Sequence, residues 1–395
     1  MKEKLIDYTQ RVWYELVWIG IEISFRFYFK RWQIANYKNV PPKGPTIYAA
    51  NHQNAFLDAL SIIMSNKRHP MFLVRANIFQ SKMAAFWLRS LNMMPIYRVR
   101  DGLRQVAKND VIIDKCVKIL SNGRQPLAVF PEGNHYLHRS LRPFQKGLSR
   151  IAFAAMEANN FELDLKIVPI GINYSRHTRV RGSLLVNYGK PINVLEYVDL
   201  YKKNPNLAYN ALKDEMSRRI KLLILNIEDE AHYKEIEQVW AYEKEQQPNM
   251  LEELHTDQEK ILQLTKEAQA GTLDQHLFKP KKIHKNWFKM ILGFPVFLYG
   301  VLNNLLSHFV IDRIIKKVVT DVHFYGSVKV AGAMFLVPII YLLQTLGAYA
   351  LTGSWLIAVF YLLTLPFVGV FSYDYVEKYI EDTPLIELAS KHFNS

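Results

Sequence analysis

The chain has 395 residues, half of them hydrophobic, and a formal net charge of +14. This composition excludes a disordered or low-complexity chain and leaves room for a globular domain with appended segments. The basic excess fits either nucleic acid or the anionic face of a membrane. Cys116 is the single cysteine, which excludes an intrachain disulfide and a cysteine-based metal cage.

Basic residues stand beside aromatic residues at several places, for example from Arg26 to Trp32 and from Phe278 to Lys289. This mixture is typical of a lipid headgroup interface, where aromatic rings lie at the boundary and lysine side chains extend outward. The sequence has no helix-turn-helix pattern, zinc-finger spacing or aromatic RNA-binding signature. We therefore expect membrane lipids, and no nucleic acid, among the partners.

Residues 1–36 carry apolar side chains at helical spacing. These side chains recur every three or four positions, at Val12, Leu16, Ile19, Ile23 and Phe27. A charged stripe beside them makes a full membrane span unfavourable, so the pattern predicts an amphipathic helix lying in the membrane interface. A helix packed on the globular core explains the same pattern equally well.

Residues 37–195 have the pattern of an α/β domain, because short β-rich runs alternate with helical stretches. The predicted strands are Pro45–Ala50, Met71–Val74, Leu127–Phe130, Ile167–Ile172 and Leu184–Tyr188. The predicted helices between them are Ala55–Met64, Lys82–Ser90, Asn109–Ser121 and Phe144–Ala158. This alternation predicts a mostly parallel sheet flanked by helices.

Residues 196–280 are polar, with dense Glu and Lys over 211–229, 232–246 and 251–269. Charge runs of this kind are usually solvated helix faces, so we interpret the region as a charged helical extension.

Residues 281–376 are predicted to be the membrane segment, and residues 377–395 a C-terminal tail. The runs 330–351 and 355–373 are each apolar for about twenty residues, enough to cross a bilayer core, and the short break between them predicts a helical hairpin. The run 290–311 has basic clusters on both sides, so a span would place one of them outside. A re-entrant or interfacial helix is therefore predicted there.

The first motif whose residues could carry out catalysis is Asn51-His52, followed by Asp58, directly after a predicted strand. Imidazole accepts a proton from a hydroxyl, while a neighbouring carboxylate fixes its tautomer and stabilises the imidazolium. Residues six apart do not share a helix face. We therefore expect His52 in the loop at the strand end and Asp58 in the early turns of the next helix. Taken alone, the pair is more commonly a surface histidine and a capping aspartate.

Three further motifs follow in the α/β region. Arg75 and Arg98, the latter in Pro95-Ile-Tyr-Arg98, stand at strand ends, where bidentate phosphate recognition or a surface ion pair is expected. Phe130-Pro-Glu132-Gly133 is a turn, with Arg139 and Arg142 on the same rim. Its glutamate has one of two roles, binding acceptor hydroxyls or orienting a neighbouring base, or it simply faces solvent. For Val168-Pro-Ile-Gly171, packing is a sufficient explanation.

Taken in this order, the four motifs resemble the blocks of the glycerol-3-phosphate and lysophosphatidate acyltransferase superfamily, over residues 37–195. Two departures stand out. Five residues separate His52 from Asp58 where the family usually has four, and His135 stands where an arginine usually follows the Phe-Pro-Glu-Gly string. Both departures resemble the fungal glycerol-3-phosphate acyltransferase branch. They leave Arg75, Arg98, Arg139 and Arg142 as unranked candidates for the phosphate ligand.

The resemblance implies a membrane-bound O-acyltransferase of phospholipid biosynthesis. His52 is then the general base and Asp58 its orienting carboxylate. Glu132 and Gly133, with His135 and the arginines, form the binding site for glycerol-3-phosphate or 1-acylglycerol-3-phosphate. The implied donor is acyl-coenzyme A or acyl carrier protein, used as a co-substrate, with no cofactor and no metal. The implied location is membrane-embedded, with the active site on the cytoplasmic face. Another lyso-lipid acceptor, or a catalytically silent lipid-binding relative, stays open as an alternative.

Overall fold

A single mixed sheet organises the α/β region of the computed structural model, which describes residues 2–97, 109–273, 286–380 and 386–388. The strands are β1 Phe29–Ala35, β2 Thr46–Ala50, β3 Met71–Arg75, β4 Met93–Ile96, β5 Leu127–Val129, β6 Lys166–Tyr174, β7 Gly182–Tyr188 and β8 Ile192–Asn193. Their order is β1-β7-β6-β2-β5-β3-β4, with β8 beside β6. All pairings are parallel except those of β6 with β7 and β8. The predicted mostly parallel α/β fold is confirmed.

Helices cover both faces of the sheet. They are α1 Lys2–Tyr28, α2 Ala55–Ser65 and α3 Lys82–Ser90 on one face, and α4 Asn109–Asn122, α5 Gly147–Ala158, α6 Val198–Lys203 and α7 Pro205–Lys221 on the other. Strand β2 shows why the sequence folds this way, because successive side chains point to opposite faces. Ile47 and Ala49 are buried against α4, α5 and α7, whereas Tyr48 and Ala50 are buried against α1 and α2.

The N-terminal region combines the two explanations that the sequence leaves open. One face of α1, including Ile21 and Phe25, is buried in the core, while the predicted apolar stripe is exposed. Leu16, for example, is 59% exposed. The helix ends at Tyr28, and residues 29–35 form an edge strand parallel to β7. A helical segment over the whole of residues 1–36 is therefore wrong at its C-terminal end, because pairing with β7 decides the conformation there.

The charged region packs onto the sheet instead of standing apart in solvent. Its later helices are α8 Tyr233–Glu243 and α9 Met250–Gln269. Together with Ala35 of the edge strand β1 and Leu185 of the neighbouring strand β7, they bury a third apolar cluster. The Arg31 guanidinium lies 2.9 Å from the Glu253 carboxylate. The region is thus joined to the sheet edge by both apolar packing and ion pairs.

Three long apolar helices follow: α10 Trp287–Val318, α11 Tyr325–Thr352 and α12 Trp355–Tyr375. In the described part of the chain these are long and apolar enough to cross a membrane. The predicted hairpin is present, with Gly353 in the left-handed conformation at the end of α11. Helix α10 is one continuous helix of 32 residues that includes Pro295. The structure therefore shows a longer helix than predicted, without the break of a re-entrant segment.

Close contacts fix these helices to the sheet domain. Arg181, just before β7, makes a two-point ion pair of 2.9 and 3.0 Å with Asp374 at the end of α12. At the start of α11 the Lys329 ammonium donates to the Thr178 carbonyl at 2.6 Å. The connection between α10 and α11 is thereby held against the domain, at the end of the sheet where β2 leads into α2.

Candidate active site

The first motif forms a hydrogen-bonded histidine–carboxylate pair. His52 lies in the loop after β2, and Asp58 lies in the first turn of α2, as predicted. His52 Nδ1 is 2.8 Å from Asp58 Oδ2, and the same oxygen accepts the Asn54 backbone N–H at 2.8 Å. Asp58 is fully buried, whereas 15% of the His52 side chain is exposed. The carboxylate therefore holds the proton on Nδ1 and leaves Nε2 as the basic nitrogen.

The third motif holds His52 from the other side. The Phe130 ring stacks on the His52 imidazole with 4.2 Å between the ring centroids. Glu132 Oε1 accepts the His52 backbone N–H at 2.7 Å, and the His52 carbonyl accepts the Tyr136 N–H at 3.1 Å. His52 is thus fixed through its ring, its amide and its carbonyl, which is the support that a positioned base needs.

Glu132 is buried, and burial raises the pKa of its carboxyl to about 8, against the lowering effect of backbone hydrogen bonds from His52 and Arg142. Of the two roles that the sequence leaves open, this position favours orienting the base. Gly133 follows with φ of 71°, and a β-carbon there would stand 3.3 Å from Gln145 Cγ. Glycine suits this turn because it adopts positive φ without steric cost.

The four candidate arginines are not equivalent. Arg75 lies 3.5 Å from the Asn134 side chain, beside the Pro-Glu-Gly turn, and Arg142 stands over the Tyr136 ring at the same rim. Arg139 is 2% exposed and lies 2.8 Å from Glu237 of α8. Its guanidinium also donates to the Tyr174 and Ser175 carbonyls and lies over the Trp240 ring of α8. Arg139 therefore serves the junction with the helical extension, which contradicts its predicted place among the phosphate ligands, and Arg98 lies outside the described residues.

His135 forms one wall of the site. Its ring is perpendicular to that of His52, with 5.5 Å between centroids, and its side chain is 9% exposed. Burial, helped by the nearby His52 and His323, lowers the pKa of His135 to about 4, against the raising effect of its hydrogen bond to Asp321. His135 is consequently neutral at physiological pH and does not replace the positive charge of the usual arginine.

The fourth motif supports the site through packing, as its sequence suggests. The Asn51 side chain makes two hydrogen bonds with the backbone of Ile172, at 2.7 and 3.0 Å, and so ties the loop of His52 to β6. A β-carbon on Gly171 would lie 2.3 Å from the Leu223 carbonyl oxygen. Only glycine allows the backbone before α8 to approach β6 this closely.

Sequence reasoning missed the contribution of the connection between α10 and α11. Asp321 lies 3.1 Å from His135, and the His323 and Phe324 rings pack on His135 at 4.6 and 5.3 Å. The only available signal was a short polar stretch between two long apolar runs. Nothing in that stretch indicates a contact with a residue 186 positions earlier.

Comparison with known proteins agrees with this geometry. Residues 31–173 match the family model described as Acyltransferase. The chain is similar to glycerol-3-phosphate O-acyltransferase 2 of Saccharomyces cerevisiae, with 20% identity over 54% of this chain and 42% of that protein. It is also similar to glycerol-3-phosphate O-acyltransferase 1 of the same yeast, with 28% identity over 22% of this chain and 12% of that protein. The chain thus spans less than half the length of these curated relatives.

Among solved structures, the chain is similar to the 1-acyl-sn-glycerophosphate acyltransferase PlsC of Thermotoga maritima. The identity is 17%, the coverage 55% of this chain and 82% of that one, and the TM-score 0.38.

The sheet, the His52–Asp58 pair and the family match together define an acyltransferase domain. Residues 31–173 of the chain match the Acyltransferase family, in agreement with the resemblance that the motifs carry.

Proposed function

We propose that the protein is a membrane-bound O-acyltransferase of phospholipid biosynthesis. In this proposal it transfers a fatty acyl group from an acyl thioester to the hydroxyl of glycerol-3-phosphate or 1-acylglycerol-3-phosphate. The observation that carries the proposal is the 2.8 Å hydrogen bond between His52 Nδ1 and the buried Asp58 carboxylate. It leaves Nε2 of the partly exposed His52 side chain ready to take a proton.

The reaction follows from this arrangement. His52 Nε2 removes the proton of the acceptor hydroxyl as the oxygen attacks the thioester carbonyl, forming the ester C–O bond. The C–S bond then breaks, and the leaving thiolate takes the proton from the imidazolium. Asp58 stabilises the imidazolium throughout and needs no proton itself. No acyl-enzyme is required, because the hydroxyl attacks the thioester directly.

The surroundings of the pair support a polar acceptor and a lipid product. Arg75 and Arg142 lie at the rim and are the described cations placed to meet a phosphate. The exposed stripe of α1 and the three apolar helices support a position at a membrane, where an acyl chain partitions favourably. We further propose that the site faces the cytoplasm, where acyl-coenzyme A or acyl carrier protein supplies the thioester.

Because His135 is neutral, an acceptor without phosphate is the second candidate. Membranes containing the full-length protein would receive a labelled long-chain acyl thioester, on coenzyme A or on carrier protein. They would be assayed with glycerol-3-phosphate, lysophosphatidate and a phosphate-free lyso-lipid in separate reactions. Labelled product from a phosphorylated acceptor is expected. Product from the phosphate-free lyso-lipid alone would show that the proposed acceptor is wrong. Absence of product with all three acceptors would indicate a catalytically silent relative.

A further inference from the structure

We propose that Asp321, in the connection between α10 and α11, is a positioning residue of the active site. It holds His135 in one tautomer and one orientation beside His52, with the help of His323. The connection between the first two apolar helices is then part of the catalytic site and does more than link two membrane segments. This inference rests on the proposed acyl transfer.

A backbone amide determines the proton positions in this cluster. The Leu137 N–H donates to His323 Nε2 at 3.1 Å, so that nitrogen is an acceptor and the neutral ring carries its proton on Nδ1. His323 Nδ1 contacts Asp321 Oδ1 and donates to it. The same oxygen accepts the His323 backbone N–H at 3.0 Å. Asp321 is thus held as an acceptor with its second oxygen directed to His135.

The tautomer of His135 follows from that acceptor. His135 Nε2 is 3.1 Å from Asp321 Oδ2, and a carboxylate oxygen only accepts. The His135 proton therefore resides on Nε2, and Nδ1 is the unprotonated nitrogen. Phe324 packs on the same ring at 5.3 Å. The ring that faces His52 is consequently fixed in both protonation and orientation.

The position of the connection is itself fixed by the helix that carries Asp58. A β-carbon on Gly326, at the start of α11, would stand 3.1 Å from Leu57 Cδ2 of α2 and 3.2 Å from the His177 carbonyl oxygen. This contact leaves little room for the start of α11 to move. Asp58 and Asp321 therefore reach the two histidines from elements that are packed together.

The cluster is better explained by hydrogen bonds than by a metal ion. Ligand atoms of His135, Asp321 and His323 lie within 4.8 Å of one another, close enough to consider a cation. A metal on His323 Nδ1, however, would leave Nε2 protonated and facing the Leu137 N–H, donor against donor. A metal on Nε2 would displace that amide from its acceptor. Either site breaks a hydrogen bond that the structure contains.

The test is Asp321→Asn in the full-length protein in membranes. His323 and His135 donate to different oxygens of Asp321, and asparagine replaces one of these oxygens with an NH2 donor. One imidazole N–H is then left without its acceptor, so kcat for acyl transfer should fall about 10- to 100-fold. The KM for the acyl thioester should change less than about twofold, and the unfolding midpoint should stay close to that of the wild type. The matched control is Asp312→Asn, which removes an exposed partner of Lys316 in α10 and should leave kcat unchanged.

A kinetic double-mutant cycle separates positioning from general structural damage. If Asp321 acts through His135, the double variant His135→Ala/Asp321→Asn should be no slower than His135→Ala alone. The proposal would be overturned if the fold-loss of kcat in the double variant equalled the product of the losses in the two single variants. An unchanged kcat in Asp321→Asn would overturn it as well. If a chelator abolished activity and zinc restored it, the cluster would be a metal site, and the hydrogen-bonded arrangement proposed here would be wrong.

A second readout does not depend on activity. Diethyl pyrocarbonate modifies unprotonated imidazoles, and its rate at His135 can be followed by peptide mass mapping. Asp321→Asn should raise that rate several-fold, while Asp312→Asn should not. An unchanged rate would contradict the link between Asp321 and His135. If wild-type membranes transfer no acyl group, the proposed function fails, and this measurement still decides whether Asp321 orders His135.

Discussion

Two histidine–aspartate pairs meet at the active site, and they differ in how the chain builds them. His52 and Asp58 are six residues apart, and a strand end and the first turn of α2 bring them together at 2.8 Å. His135 and Asp321 are 186 residues apart and meet at 3.1 Å through the connection between two apolar helices. The Asp58 side chain is fully buried, whereas 42% of the Asp321 side chain is exposed. The local pair is therefore the stronger orienting contact, and the remote pair supports it.

The largest difference between the pairs should appear in Asp58→Asn. An asparagine favours the wrong His52 tautomer, so kcat should fall by about 10³- to 10⁴-fold, more than for Asp321→Asn. The measurement is acyl transfer by membranes containing equal amounts of each variant. Equal losses in Asp58→Asn and Asp321→Asn would contradict the ranking of the two pairs.

Sequence reasoning found the local pair because both of its members lie in one short motif. It also found the mostly parallel sheet, since the alternation of strand and helix patterns is local information. It missed β1 because pairing with β7 determines that segment, and it misassigned Arg139 because Glu237 lies 98 residues away. Asp321 was missed for the same reason. Contacts between distant segments leave no periodic signal in one sequence.

A smaller effect is expected for Glu132→Gln. The amide oxygen can still accept the His52 backbone N–H, so kcat should stay within about tenfold of wild type.

The pH dependence of stability should differ between Glu132→Gln and the wild type. The pKa of Glu132 is raised to about 8, so its contribution to stability is complete below about pH 4.5 and is lost as pH rises through about 8. Glu132→Gln should lack this decline of the unfolding midpoint at high pH. In the activity assay, a thousandfold loss of kcat in the same variant would show that Glu132 has a direct catalytic role.

The smallest effect concerns stability at acid pH. Because burial lowers the pKa of His135 to about 4, the folded protein should lose stability as pH falls from about 6.5 to 4. The slope contributed by one such group is at most about 1.4 kcal/mol per pH unit. His135→Gln should flatten the decline of the unfolding midpoint over this range, and an unchanged slope would contradict the buried neutral state of His135.

His138 provides the matched control for that measurement. Burial also lowers its pKa to about 4, but its ring stacks on Tyr233 of α8, 3.8 Å between centroids. His138→Gln should flatten the acid slope in the same way while leaving kcat close to wild type. A large loss of kcat in His138→Gln would mean that the helical extension contributes to the chemistry.

The most direct test of the central claim is acyl transfer by His52→Ala, compared with wild type in membranes of equal protein content. Each would receive a labelled acyl thioester and saturating glycerol-3-phosphate or lysophosphatidate, whichever the wild type accepts. Loss of the base should lower product formation by at least about 10³-fold while the unfolding midpoint stays nearly unchanged. Product formation close to the wild-type rate would contradict His52 as the base and, with it, the proposed mechanism.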